Sequence, residues 1–272
     1  MKKVTAFVGS ARKRLTYYAA RQFLENLKLL GEVEYEIVAL SHHRLGTCRG
    51  CKLCFEKGEQ LCPLKDDRDM LIEKIIASDG VVFATPNYSF QVSGLTKIFL
   101  DRLGFVFHRP RFFGKTFTSI VAQGFFGGDK IVSYLDFVGS GLGFNTVKGC
   151  SVTALEPMTA KEKKKIDRAL AKQGRRFYER LLVKPAFPVP TWLKLWAFRM
   201  GRTHIRLGLD ESSCDYRYYK EKGWFESDYY YPTPLGPLKK AAGSLIDSIE
   251  TRKARKRESE PPLSLQPPWG NS

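Results

Sequence analysis

Short apolar runs alternate with helical patterns along the first two thirds of the chain. Apolar runs without polar alternation predict strands buried on both faces, the pattern of a parallel sheet. Five such strands are predicted, at residues 3–8, 33–40, 80–84, 115–122 and 146–155. Between them apolar residues recur at helical spacing, as at Phe23, Leu24 and Leu27 after the first strand. This alternation predicts an α/β domain with a doubly wound sheet.

The segment at residues 80–102 is the centre of this pattern. Pro86 is expected to end the third strand, because proline has no N–H to donate. Ser93 is expected to cap the next helix, which carries Ile98 and Phe99 on its apolar side. The stretch PNYSFQ between strand and helix lies at the carboxyl end of a parallel strand, where open α/β sheets bind ligands.

A second polar loop follows the first strand, at residues 9–14, before a helix predicted from Leu15. Loop N–H groups and a helix N-terminus together present positive potential to an anion. Ser10 and Thr16 add hydroxyl donors, and Arg12 and Arg14 make the loop cationic. The arrangement is suited to a phosphate group.

Four of the six cysteines lie within fifteen residues, at Cys48, Cys51, Cys54 and Cys62, with the spacing C-x2-C-x2-C-x7-C. A disulfide framework would spread its pairs along a small secreted chain. Three thiolates two residues apart can hold three corners of a [4Fe–4S] cluster, and a more distant cysteine supplies the fourth. Structural zinc sites more often use two separated C-x-x-C pairs. The spacing favours iron–sulfur, while zinc and a metal-free redox dithiol stay open.

These segments resemble the flavodoxin-like NAD(P)H-dependent FMN reductases and the related iron–sulfur flavoproteins. The matched positions are Thr85-Pro86-Asn87-Tyr88, Ser93-Gly94, Lys97, Phe99, Asp101 and Arg102 after the third strand, and Gly9, Ser10, Arg12 and Thr16 after the first. Ala11 departs from the family's phosphate loop, where most relatives have proline. The cysteine motif is similar to that of the iron–sulfur flavoproteins. The resemblance covers residues 1 to about 182.

The resemblance implies a five-stranded parallel sheet in the order 2-1-3-4-5, with FMN at the switch between the first and third strands. It implies a set of cofactor-binding residues, namely Ser10, Arg12, Arg14, Leu15, Thr16, Pro86, Asn87, Tyr88, Ser89, Phe90, Gln123 and Gly124. It also implies Cys48, Cys51, Cys54 and Cys62 as the metal ligands. No residue is predicted to be catalytic, because the flavin performs the redox chemistry.

The last third of the chain is harder to interpret. Residues 184–190 (KPAFPVP) predict a linker. Residues 191–206 predict a basic amphipathic helix, for which a core or dimer contact is favoured over a membrane surface. Its apolar side holds Trp192, Leu193, Trp196, Ala197 and Met200, and its other side holds Lys194, Arg199, Arg202 and Arg206.

An aromatic stretch at residues 216–231 would cover the flavin, hold a substrate ring or pack this extension onto the core. A helix from about Pro237 carries apolar residues at core spacing, namely Leu238, Ala242, Leu245 and Ile249. We therefore expect a flavodoxin-like domain at residues 1–182, a helical and aromatic-rich C-terminal extension at 183–257, and a disordered tail at 258–272.

The net charge of +17 bears on partners more than on fold. It favours anionic nucleotides, acidic proteins, nucleic acid or a membrane surface without choosing among them. The chain starts directly with a predicted strand, and no apolar run approaches membrane-spanning length. We expect a soluble, cytoplasmic protein.

The predicted function is an FMN-dependent oxidoreductase that passes electrons from NAD(P)H through FMN to a quinone or other small acceptor, with the candidate [4Fe–4S] cluster. The alternative is an iron–sulfur flavoprotein that carries electrons between protein partners without a small-molecule substrate of its own. A nucleic-acid or membrane adaptor would explain the basic charge but not the three matched segments. A homodimer is expected, and no specific nucleic-acid partner.

Overall fold

The computed structural model describes residues 1–184 and 187–260. Its residues form two compact units. One consists of Met1–Cys54 and Glu59–Phe187, and the other of Phe55–Gly58 together with the chain from Pro188 onward. Across the described ranges, no helix has the length and apolar character needed to cross a membrane.

The first unit contains a seven-stranded sheet with the order β2-β1-β3-β5-β6. β7 also pairs with β5, and β4 pairs with β3 as the one antiparallel addition described. The strands are β1 (Lys2–Val8), β2 (Val33–Ala39), β3 (Gly80–Tyr88), β4 (Gln91–Val92), β5 (Thr116–Gln123), β6 (Asn145–Thr146) and β7 (Cys150–Thr153). The predicted parallel fold and strand order are confirmed, but the predicted count of five strands is wrong.

The predicted fifth strand, at residues 146–155, is divided into β6 and β7 by a break at Gly149. A Cβ atom at Gly149 would lie 2.6 Å from the Ser119 carbonyl oxygen of β5. The N–H of Gly149 donates to the Asp136 carboxylate instead of to a neighbouring strand, at 3.2 Å. The hydrogen-bond ladder between this segment and β5 is interrupted at Gly149, because its backbone lies close to Ser119 and its N–H is used by Asp136.

The third strand does not end at Pro86, as predicted, but continues to Tyr88. The Gly9 N–H donates to the Ala84 carbonyl at 2.8 Å, where the pairing of β1 with β3 ends. Backbone groups alternate in direction along a strand, so Pro86 is directed to the same side as Ala84. At the level of Pro86, β1 has already ended. No neighbouring strand is therefore present on that side to accept a hydrogen bond from an N–H at this position, and proline is tolerated.

Helices cover both faces of the sheet, as expected for a doubly wound fold. They are α1 (Leu15–Leu30), α2 (Leu53–Glu56), α3 (Arg68–Ile76), α4 (Gly94–Arg102), α5 (Gly104–His108), α6 (Gly128–Gly141) and α7 (Ala160–Leu182). Phe23 of α1 and Phe177 of α7 pack with Val82 and Ala84 of β3 on one face. On the other face Phe83 lies edge-on to Phe117 of β5, with ring centroids 5.1 Å apart.

The predicted cap of the helix after the third strand is confirmed. The Ser93 hydroxyl accepts from the Thr96 N–H at the start of α4. Thr159 and Glu162 form a capping box at the start of α7, which buries Ile166 and Phe177. Ile76, at the end of α3, is exposed.

The second unit contains α8 (Trp192–Gly208), α9 (Cys214–Glu221) and α10 (Pro237–Glu258). The predicted apolar side of α8 is its exposed side, where Trp192, Leu193 and Trp196 lie. The helix instead buries Arg199 and Arg202, together with Leu195, Phe198 and Thr203. This reversal has an electrostatic cause, since Arg199 Nη1 and Arg202 Nη2 donate to the same Asp247 carboxylate oxygen of α10, at 2.7 and 2.6 Å.

The apolar residues predicted to be core on α10 are also on the wrong side. Leu238, Leu245 and Ile249 are exposed, while Gly243 and Glu250 are buried. A Cβ atom at position 243 would lie 2.9 Å from the Arg199 guanidinium, so glycine makes room for that side chain.

The predicted aromatic stretch forms a core within the second unit. Phe198 of α8 lies edge-on to Tyr230 at 4.5 Å between ring centroids. Trp224 Nε1 donates to the Tyr230 carbonyl at 2.9 Å. These contacts lie within the second unit, and the three roles considered for this stretch stay predictions.

Parts of two sequence predictions lie outside the described residues. In the predicted linker they are Pro185 and Ala186, and in the predicted tail they are residues 261–272. α10 extends through Glu258 and thus enters the segment assigned to the tail.

Asp247→Asn should destabilise the second unit by about 3 kcal/mol, because it removes the carboxylate shared by two buried guanidinium groups, which leaves Arg199 with Asp228 and Arg202 with the Ser227 carbonyl. Urea unfolding followed by tryptophan fluorescence measures this unit selectively, since all four tryptophans lie at positions 192, 196, 224 and 269. The control is Glu211→Gln, which breaks the exposed pair with Lys220 and should leave the urea midpoint nearly unchanged. An equal loss of unfolding free energy in the two variants would contradict the assignment of Asp247 as the central partner of Arg199 and Arg202.

Candidate functional site

A groove lies where β1, β3 and β5 end at one edge of the sheet. It holds about 160 Å³ and is open to solvent. Ten of the twelve predicted cofactor-binding residues line it, namely Ser10, Arg12, Arg14, Leu15, Thr16, Pro86, Asn87, Tyr88, Gln123 and Gly124. The parallel strands bring three distant stretches of chain together, as the sheet order predicts.

The other two predicted residues, Ser89 and Phe90, do not line the groove. They form the two-residue turn of a hairpin, residues 87–92, in which Asn87 pairs with Val92 and Tyr88 with Gln91. Both turn residues have positive φ, 50° and 61°. Turns of this class fit the twist of a hairpin but strain residues other than glycine. The turn directs Phe90 outward, where its ring is exposed.

Sequence reasoning missed three groove residues, Ala122, Ala154 and Glu156. Ala154 and Glu156 follow β7, so the rule that ligands bind at carboxyl ends of parallel strands could have found them. The small side chains of Ala122 and Ala154 leave space in the groove floor. Glu156 places a carboxylate 3.6 Å from Arg14 Nη1, with both side chains about half exposed or more.

The cationic loop, residues 9–14, leads into a helix N-terminus suited to an anion. No side chain caps the start of α1, and its first turn contains no acidic residue. The free N–H groups and the helix dipole therefore carry positive potential toward the groove. Arg12 and Arg14 add two guanidinium groups, and the buried Thr16 adds a hydroxyl. This end of the groove can bind a phosphate.

A buried network of hydroxyl groups fixes the start of the cationic loop against the hairpin. Ser93 Oγ donates to the Gly9 carbonyl at 2.5 Å, and the Ser93 N–H donates to Thr85 Oγ1 at 3.1 Å. Thr96 Oγ1 also donates to Thr85 Oγ1, at 3.1 Å. A Cβ atom at position 9 would lie 1.8 Å from Thr96 Oγ1, so only glycine permits this contact.

The side chain of Gln123 joins three loops around the groove. Its Oε1 accepts from the Gly128 N–H at 2.7 Å and lies 3.4 Å from Asn87 Nδ2. Its Nε2 donates to Thr153 Oγ1 at the end of β7, at 3.0 Å. Asn87 Nδ2 also donates to the Phe126 carbonyl at 3.0 Å. The Gln123 amide is therefore used within the protein, where it positions the walls of the groove.

The cysteine loop, residues 48–62, lies before α3. Cys48 and Cys51 are exposed, Cys54 is half-buried and Cys62 is buried. Burial raises the pKa of the Cys54 thiol, and nearby Cys48 and Cys62 act in the same direction. Within the described ranges, which include all four cysteines, no three metal-binding side chains are gathered closely enough to hold a metal ion. The donor chemistry suits an iron–sulfur cluster, but the four thiols are not assembled.

Cys62 is fixed by a buried arginine. Arg102 Nη1 donates to Cys62 Sγ at 3.1 Å, while Nη2 donates to Asp66 Oδ1 at 3.0 Å. Burial raises the pKa of the Cys62 thiol, but the hydrogen bonds from Arg102 and from the Leu64 N–H outweigh it, so the pKa lies below its ordinary value. Arg102 belongs to the matched motif after the third strand, but its contact with the cysteine loop was not predicted.

A second arginine supports the middle of the cysteine loop. The fully buried Arg109 donates through Nη2 to the Cys54 carbonyl and to Glu59 Oε2, both at 2.8 Å. Arg111 Nη1 donates to Glu59 Oε1 at 2.8 Å. Burial raises the pKa of Glu59, but the two guanidinium groups outweigh it and hold that pKa below its usual range. Sequence reasoning missed Arg109 and Arg111.

A family model described as NADPH-dependent FMN reductase matches residues 2–156, more than half of the chain. An iron–sulfur flavoprotein of Archaeoglobus fulgidus is 32% identical over 160 residues, covering 54% of this chain and 70% of that protein. The chain belongs to the family of NADPH-dependent FMN reductases and iron–sulfur flavoproteins. The family resemblance inferred from the three matched segments is thus confirmed.

Family membership covers the first unit more fully than the second. Another iron–sulfur flavoprotein of the same organism is 37% identical over 100 residues, so the match spans 37% of this chain and about half, 48%, of that relative. Among solved structures, RosB with bound 8-demethyl-8-formylriboflavin 5'-phosphate has a TM-score of 0.52 at 12% identity, over 100% of this chain and 95% of RosB. That likeness shows the fold alone.

The groove fits the phosphate end of the family's cofactor better than its ring. A volume of about 160 Å³ lies below the ~300 Å³ at which pockets begin to enclose a drug-sized ligand. A flavin mononucleotide would therefore extend past the groove. The exposed rings of Tyr88, Phe90 and Phe126 lie around its rim, with Phe90 and Phe126 5.3 Å apart. The residues present fit a bound FMN whose ring system is only partly enclosed.

Gln123→Ala should raise the hydrogen-exchange rate of the Gly128 amide about fivefold, because losing one intramolecular hydrogen bond costs about 1 kcal/mol. Exchange followed by mass spectrometry over residues 124–130 measures this change. Gln123→Glu keeps an acceptor for the Gly128 N–H, so the hydrogen-exchange rate of this amide should stay near that of the native protein. The position of Gln123 as the central acceptor would be refuted by an unchanged rate in Gln123→Ala.

Proposed function

We propose that the protein is an FMN-dependent oxidoreductase that takes electrons from NAD(P)H and passes them to a small acceptor such as a quinone. One observation carries the proposal: an uncapped, cationic helix N-terminus and an aromatic hairpin meet at the carboxyl edge of a parallel sheet. This edge is the ligand-binding edge of doubly wound folds. Family membership supports the same cofactor.

In this proposal, each part of the groove has a separate task. Arg12, Arg14 and the first N–H groups of α1 bind the phosphate by charge and hydrogen bonding. The backbone of Asn87 and Tyr88 lies along the isoalloxazine ring, and Gln123 holds the loops in position. The bound flavin supplies hydride acceptance and electron transfer, so the protein contributes binding and orientation. We expect a homodimer.

Arg12→Glu should weaken FMN binding by the apoprotein at least about tenfold, because it reverses a charge beside the phosphate. Fluorescence quenching of FMN measures the affinity. The matched control is Lys13→Glu, which makes the same charge change at a neighbouring position that does not line the groove. Riboflavin, which lacks the phosphate, should bind both variants alike. Equal weakening of FMN binding in both variants would remove Arg12 from the site.

The same preparation distinguishes an enzyme from an electron carrier. An oxidoreductase should consume NADH or NADPH in steady state with a quinone, and Arg12→Glu should lose that activity where Lys13→Glu keeps most of it. Reduction of the flavin without continued turnover would favour the carrier that works between protein partners.

The proposal includes one [4Fe–4S] cluster held by Cys48, Cys51, Cys54 and Cys62. The spacing of four thiols in fifteen residues supports it, as does the family of iron–sulfur flavoproteins. Because the thiols are not assembled, binding requires Cys48 and Cys51, the exposed half of the loop, to approach Cys54 and Cys62. No step of the flavin reaction above depends on the cluster.

Iron and acid-labile sulfide analysis of anaerobically purified protein should give about four of each per chain. Serine substitution at any of the four loop cysteines should lower that content strongly while FMN stays bound. Cys150→Ser and Cys214→Ser are the controls, because these cysteines lie outside the loop, and they should keep the full content. Stoichiometric zinc, or FMN without iron after reconstitution, would leave a flavin reductase with a structural cysteine loop.

A further inference from the structure

The outward face of α10 has no role in the proposed flavin chemistry. Leu238, Leu245 and Ile249 are spaced by seven and four residues, so they lie on one line along the helix. Their side chains are 79%, 62% and 41% exposed. Arg252 and Lys256 continue the line toward the C-terminus, and both are exposed. These five residues are named the outward line of α10.

The described acidic side chains of α10 lie on the opposite face. Asp247 accepts hydrogen bonds from Arg199 and Arg202 of α8. Glu250 is buried, with its Oε2 3.0 Å from His204 Nε2 of α8 and its Oε1 accepting from Lys253. These carboxylates are neutralised against α8. The outward line therefore presents aliphatic side chains and then positive charge.

The start of α8 carries exposed aromatic rings beside the N-terminal end of α10, although α8 packs against the face of α10 opposite the outward line. Lys239 Nζ lies 5.6 Å from the centre of the Trp192 ring, and Asp247 contacts Arg199. These contacts show that α8 and α10 run parallel, with their N-terminal ends side by side. Trp192 and Trp196 are both exposed. Tryptophan prefers the interface between headgroups and acyl chains.

The charges of the two helices decide which partner suits this surface. Seven of their lysine and arginine side chains are exposed, whereas neither Asp247 nor Glu250 is. A second copy of the chain would present the same cations and no carboxylate on this line to pair with them. An anionic lipid surface supplies the missing negative charge and also receives exposed aliphatic side chains.

We propose that the outward line of α10 docks the protein onto anionic lipid. The helix lies parallel to the membrane plane, with Leu238, Leu245 and Ile249 at the level of the upper acyl chains. Arg252 and Lys256 bind headgroup phosphates. The attachment is peripheral and reversible, because its apolar contribution comes from only a few side chains.

Sedimentation of the full-length flavin-loaded protein with vesicles tests the proposal. Vesicles of phosphatidylcholine with about one third phosphatidylglycerol should bind at least about tenfold more tightly than vesicles of phosphatidylcholine alone. Raising NaCl from about 0.05 to about 0.5 M should release the protein, since the attraction between surface charges is screened. No binding to the anionic vesicles at low salt would overturn the proposal.

Two double variants test the two parts of the line. Leu245→Gln with Ile249→Gln, and Arg252→Glu with Lys256→Glu, should each weaken binding to anionic vesicles at least about tenfold. The substituted side chains are exposed, so circular dichroism and thermal unfolding should match the native protein. The matched control is Lys164→Glu with Lys165→Glu on α7, an equal charge change at exposed positions of the first unit. It should weaken binding less than about threefold.

Two results would overturn the lipid assignment. One is equal weakening of binding in the α7 control and in the charge variant of α10, which would show a dependence on net charge alone. The other comes from light scattering of the protein in solution. A dimer that becomes monomeric in Leu245→Gln with Ile249→Gln would show that the line is covered by a second copy of the chain.

Discussion

The candidate site depends on the buried hydrogen bonds that join the ends of β1 and β3. Thr85, Ser93 and Thr96 are almost completely buried, so their hydroxyl groups must find partners within the protein. They bond to one another and to the Gly9 carbonyl. As a result, the cationic loop and the aromatic hairpin have a fixed relation before any ligand binds. Such preorganisation lowers the cost of binding a flexible phosphate ester.

The parallel sheet and the edge that carries the groove could be predicted from local pattern plus one topological rule, whereas the strand order and the individual lining residues came from the family resemblance. Apolar runs locate the strands, and the carboxyl ends of parallel strands converge. Details that depend on distant contacts could not be predicted. The break at Gly149 requires its closeness to Ser119 and Asp136, and the strand beyond Pro86 requires that β1 has ended. Neither fact is present in a window of neighbouring residues.

In the helices of the second unit, hydrophobic periodicity does not predict which face is buried. Helical spacing identifies two faces, and the ordinary expectation that arginine is exposed then assigns the apolar face to the core. Here Asp247 lies 48 residues from Arg199, and their ion pair turns the charged face inward. Two buried guanidinium groups are stable together only when their charges are paired, here by a partly exposed carboxylate that they share. The outward position of the tryptophans is thus a consequence of pairing that the sequence does not reveal.

Buried arginines also give the cysteine loop a defined shape. A buried guanidinium requires carboxylate or carbonyl partners, and the loop provides them to Arg109 through Cys54 and Glu59. Arg102 donates through its two terminal nitrogens to Cys62 Sγ and to the Asp66 carboxylate. Small metal-binding domains often obtain their folding energy from the metal itself. In this loop the half that contains Cys54 and Cys62 is held by the protein's own charges, so a bound cluster would need to order only the half with Cys48 and Cys51.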